Sequence, residues 1–116
     1  MVEILKDTYP TARKEHRCQL CGGIIHKGEK YHRQSCAYEG RAYDFISHRK
    51  CEKIMSKLDM FGRTWHDGVD MGVFDEFTWD AVEHLHPSYE QAQDMDLEQR
   101  VDWLMDNMDL VDDYMK

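Results

Sequence analysis

Two short spacings in the chain have the form that soft-metal chemistry requires. Cys18-Gln19-Leu20-Cys21 sets two thiols three residues apart and runs directly into Gly22-Gly23, and His48-Arg49-Lys50-Cys51 repeats the spacing with an imidazole and a thiol. Three thiolates and one imidazole are the donor set that closes a tetrahedral structural Zn²⁺ site. A redox reading of the Cys18/Cys21 pair would want a helix to open at the motif, and two glycines follow it instead. Four cysteines in a chain expected to work in a reducing compartment point to metal ligation before disulfides.

The remaining cysteine and histidines define the rival donors. Cys36 lies eight residues beyond Gly28; at about 3.3 Å per strand residue it is carried roughly 25 Å from the first pair, so it reads as a small strand residue. His16, His26 and His32 are the other imidazoles able to replace His48. A catalytic alternative needs a general-base histidine beside a second, solvent-open ion. His32 with His26 or Asp44 are the candidates, yet the chain's only Asn is Asn107, remote from them in sequence. The expectation is therefore no catalytic residue, and an ion that serves folding.

The ligand pairs are useful only if the intervening segment folds back. Residues 24–30 offer a turn at Lys27-Gly28, and Tyr31 to Tyr38 and Arg41 to Ile46 alternate as strands on either side of Glu39-Gly40. A helix then follows, with Ser47 as its cap, Cys51, Ile54 or Met55, Leu58 and Phe61 at helical spacing, and Gly62 as its stop. His48 and Cys51 fall on one face of its first turn.

A knuckle, a hairpin and a helix that brings the last two ligands resembles the treble-clef zinc finger. The resemblance rests on Cys18-x-x-Cys21-Gly22, Lys27-Gly28-Glu29-x-Tyr31 and His48-x-x-Cys51, and covers roughly residues 16–62. It implies one structural Zn²⁺ held by Cys18, Cys21, His48 and Cys51. It implies no activity, since the family includes ribosomal proteins, protein-binding modules, nucleic-acid binders and nucleases of the His-Asn-His type.

Beyond Gly62 the pattern changes. Asp67, Asp70 and Asp75 lack the order of a calcium loop and read as turn residues. Phe74, Phe77, Ala81 and Leu85, widened by Trp79 and Val82, trace a helical face that ends at Pro87, with His84 and His86 at its C-terminal end. Ser88-x-x-Gln91 and Asp96-x-x-Gln99 look like capping boxes. The second opens a long final helix striped by Leu97, Val101, Leu104, Met105, Met108, Val111 and Met115. These signals describe an α+β chain: a treble-clef-like finger over residues 1–66 and an acidic helical segment over 67–116 that packs on it.

The charge is polar along the chain. The net −8 divides into +5 over residues 1–66 and −13 over residues 67–116. This polarity argues against simple coating of nucleic acid by the whole chain, because the second half would be repelled. Asp102, Asp106, Asp109 and Asp113 align on the last helix at a rise of about 6 Å per four residues, comparable with the spacing of phosphates. The expected partner is another protein, engaged by this acidic row either directly or as a mimic of nucleic acid, with Trp65, Trp79 and Trp103 as candidate anchors. The alternative is RNA or DNA bound by the front half, where Arg33 and Arg41 are interleaved with Tyr31 and Tyr43. No window reaches the roughly 18 apolar residues of a membrane span, and the acidic N-terminus is unlike a secretory signal, so a cytoplasmic protein is expected.

Overall fold

The computed structural model describes residues 3–63 and 69–116. The chain runs β1 (Glu3–Thr8), β2 (His16–Arg17), β3 (Ile24–Ile25), β4 (Tyr31–Tyr38), β5 (Arg41–His48), α1 (Arg49–Lys57), α2 (Met60–Arg63), α3 (Met71–Leu85), α4 (Tyr89–Asp94), α5 (Leu97–Asp106) and α6 (Met108–Tyr114). It is an α+β fold with two antiparallel sheets, β1-β4-β5 and β2-β3.

The central hairpin closes where the sequence predicts. Glu39 and Gly40 both have positive φ, 50° and 81°, the geometry of a two-residue turn whose twist matches its strands. The register then pairs Tyr31 with His48 and Cys36 with Tyr43. Cys36 is buried on β4, away from the ligand pairs. A third strand, β1, pairs with β4 through a register shift between Ile4 and Lys6. Nothing in the sequence pattern of residues 3–8 announces it.

The first helix differs from expectation at both ends. Ser47 stays in β5, fully buried, and the N-cap is His48, which makes no side-chain cap bond. At the other end Leu58 caps α1 and Asp59 takes a left-handed φ of 49°, so the chain turns three residues before Gly62, which lies inside α2.

Helix α3 starts at Asp70, whose side chain accepts from Val73 N. Asp75 is therefore no turn residue: it sits in α3 and pairs with Arg100 of α5. Asp67 and Trp65 fall outside the described residues. Ser88 caps α4 by accepting from Gln91 N, and Asp96 with Gln99 forms a complete capping box on α5. The final helix is not continuous, because Asn107 breaks it with φ −124° and ψ 41°. Its side-chain amide donates to the Trp103 carbonyl, 2.8 Å, while its backbone N–H turns to Leu104 O, so a side chain has replaced the regular helical bond.

One hydrophobic core joins both halves, from Leu20, Ile25 and Ile54 in the first to Phe74, Val101 and Val111 in the second. Helix α1 is the shared wall. Lys50 of α1 reaches Asp102 and Glu98 of α5 at 2.8 and 3.9 Å, and Lys57 reaches Asp112 of α6 at 3.2 Å.

Candidate metal centre

The two ligand pairs meet. The donor atoms of Cys18, Cys21, His48 and Cys51 all lie within 4.8 Å of one another, which is the separation one tetrahedral ion can span. Cys18 and Cys21 come from the knuckle between β2 and β3, His48 from the end of β5 and Cys51 from the first turn of α1. All four cysteines of the chain are free thiols, and Cys36 is not in the cluster.

The surroundings fix how each donor points. His48 turns Nδ1 toward the sulfurs, 3.3 Å from Cys21 and 3.6 Å from Cys51, and its Nε2 lies 3.0 Å from the Ile24 carbonyl. When Nε2 donates to that carbonyl, the tautomer is set and Nδ1 keeps its lone pair for an ion. Backbone N–H groups meet the sulfurs: Cys21 N and His48 N donate to Cys18 Sγ, and Gly23 N donates to Cys21 Sγ, each at 3.4 Å. Gly22 permits the curl at φ 77°. At Gly23 a Cβ would collide with the Glu98 carboxylate of α5.

The charge balance favours a cation. Cys21 and Cys51 hold the Cys18 thiol well below the usual thiol range, and Cys18 and Cys21 in turn push Cys51 up. Burial opposes an imidazolium at His48, yet the Cys18 and Cys21 sulfurs outweigh it and raise His48 to about 10. Three thiolates in one buried spot are unstable together without positive charge. The donor chemistry suits a soft divalent ion, which supplies more of that charge than a proton.

The other candidate residues are scattered. Tyr31 is buried against the His16 ring, and Arg33 is tied to Asp44. Arg41 is exposed, and Tyr43 is 41% exposed. His32 and Asp44 occupy opposite faces of the sheet, since His32 pairs with Ser47 and Asp44 with Ser35. His26 faces Glu15 on a turn. On the acidic row, Asp102 is held by Lys50 and Asp113 by Lys116, whereas Asp106 and Asp109 are exposed without an ion pair among the described residues.

A polar cluster around His32 escapes sequence reading. His32 is buried, with Nε2 2.8 Å from Asp7 of β1 and Nδ1 3.8 Å from Glu52 of α1, and Tyr9 stacks on it while donating its hydroxyl to Glu52. Its members extend from Asp7 to Glu52, with Tyr9 and Glu52 43 residues apart, so no local spacing signals them. Comparison with family models, curated proteins and solved structures gives no match.

Proposed function

We propose that the chain is a treble-clef zinc module, folded by one structural Zn²⁺ and acting without catalysis by binding another protein through its acidic helical half. The observation that carries the reading is the closed donor set. Four protein donors lie within 4.8 Å of one another and the outer nitrogen of His48 meets the Ile24 carbonyl, so a tetrahedral ion held by them would keep no position for an activated water. Zinc binding of about 10–16 kcal/mol in finger peptides is as large as the net stability of a domain, so the ion's work here is folding.

Charge pairing supports the choice of surface. Lys50 and Lys57 neutralise only the acids that face α1. Glu76, Asp80 and Glu83 on the exposed face of α3 remain without ion pairs among the described residues, as do Asp106 and Asp109. Such a surface attracts a basic protein inside the cell, where thiols stay reduced. The break at Asn107 divides the aspartate row between α5 and α6, so direct protein contact is a better account of it than imitation of a regular phosphate ladder.

Native mass spectrometry should find one zinc per chain, and tagged protein should retain a basic partner from lysate. Reversing Asp106 and Asp109 to Lys together with Glu76 and Asp80 should abolish that capture without loss of zinc. Unchanged capture by the reversed chain would refute the assignment of the surface. Salt-dependent binding of an oligonucleotide, lost on replacing Arg33 and Arg41, would favour the nucleic-acid alternative.

A further inference from the structure

We propose that Cys21 is a modification site, the donor through which small neutral oxidants of the peroxide class open the metal centre. The inference rests on the zinc reading above. Of the four ligands, Cys18 and Cys51 are fully buried and His48 is 4% exposed, whereas Cys21 is partly exposed. Cys21 also lines an open groove of about 660 Å³ shared with Gly22, Met71, Asp96, Leu97 and Glu98. A reagent entering this groove meets Cys21 before any of the buried donors.

Burial withholds Cys51, whose sulfur meets the His48 ring, and the hydrogen bonds then rank Cys21 above Cys18. Cys18 Sγ accepts two backbone N–H groups, and Cys21 Sγ accepts one, from Gly23. Each such bond withdraws electron density from a thiolate, so Cys21 keeps more of its nucleophilicity. The groove selects the reagent as well. Asp75, Asp96 and Glu98 line it, and their charge opposes the approach of anionic thiols and disulfides while leaving a neutral peroxide unhindered.

The chemistry balances with the peroxide as sole oxidant. Cys21 Sγ attacks one peroxide oxygen, the O–O bond breaks, a sulfenic acid forms and hydroxide leaves. Cys18 Sγ, whose donor atom lies within 4.8 Å, then attacks the oxidised sulfur, an S–S bond forms, the S–O bond breaks and a second hydroxide leaves. Two thiolates have given up two electrons, one peroxide has been reduced to two hydroxides, and an ion held by the four residues would be left with His48 and Cys51 alone. Because Met71 of α3 packs on Gly22 and Glu98 of α5 packs on Gly23, opening the knuckle loosens the N-terminal ends of both helices.

The test uses the full chain with its zinc content measured first. Substoichiometric hydrogen peroxide is added with dimedone to trap sulfenic acid, labelled residues are read by mass spectrometry, and released zinc is read with a chromogenic chelator. Cys21 should be labelled at least about tenfold faster than Cys18, Cys51 or Cys36, and zinc should appear in step with it. Glu98→Gln should leave the peroxide rate within about twofold but speed reaction with an anionic aromatic disulfide reagent. First labelling at another cysteine, or zinc retained after Cys21 has reacted, overturns the proposal while leaving the zinc reading intact. A chain that carries no zinc at the outset overturns the zinc reading and this proposal with it.

Discussion

Arg100 shows how much a single side chain carries in the helical half. It is 4% exposed, lies over the Trp79 ring, pairs with Asp75, and donates to Thr78 Oγ1 at 3.4 Å and to Met95 O at 3.2 Å. Its partner Asp75 is largely exposed, so the ion pair itself adds little, and the loss on truncation comes from packing and orphaned acceptors. Arg100→Ala should destabilise the chain by about 2–4 kcal/mol in denaturant melts, and Arg100→Lys should recover only a minor part because the planar fork is lost. Asp7 makes a second residue-scale prediction. Hydrogen bonds from His32 and then Gln34 hold its carboxyl below the usual value, and burial opposes them weakly. A depressed carboxyl contributes stability that is complete above the ordinary value of about 4 and disappears as pH falls through the lower folded value. Carboxyl NMR titration should therefore place Asp7 below the free-peptide range, and Gln34→Ala should move it part of the way back.

Legibility in the sequence follows the range of the interaction that makes each element. The ligand pairs, the Glu39-Gly40 reversal and the Asp96 capping box are determined by residues within four of one another, and each appears where its spacing places it. Strand β1 and the Asp7–His32–Glu52 cluster depend on partners about 20 residues or more away, and no periodicity records them. The helix breaks fall between these cases. Asn107 is a short polar side chain able to take its own helix's carbonyl, a known disruptive property, but the apolar stripe runs straight through it and conceals the break. Asp59 ends α1 through a left-handed φ of 49°, a conformation for which the glycine three residues later is the more usual residue. At this scale the capping box is the element to test: Asp96→Ala removes the acceptor for Gln99 N, 2.8 Å away, and should cost about 1 kcal/mol in thermal or chemical melts, while Gln99→Ala should cost less.

Across the whole molecule, the four-donor cluster and the helical half share one buried core, from which the expectation is that they fold as one cooperative structure. The thiols Cys18 and Cys51 lie in the same buried cluster as Phe74, Val101 and Val111, and Lys50, one residue before Cys51, bridges to Asp102 and Glu98 of α5. An α1 released from its ion would lose the cap at His48 and the first turn at Cys51, and with them the wall against which α5 packs. Removing zinc with a strong chelator should consequently abolish the protection of α5 amides as well as those of β4 and β5 in hydrogen exchange, in a single transition, and zinc should restore both together. A chelated chain in which α3 and α5 keep their slow exchange while the finger opens would show two independent folding units. In that case, the acidic half would hold its binding surface regardless of the ion. Lys50→Glu separates the two views further: it leaves all four donors in place but sets a third carboxylate beside Asp102 and Glu98, and only in the cooperative structure should it weaken zinc retention against a competing chelator.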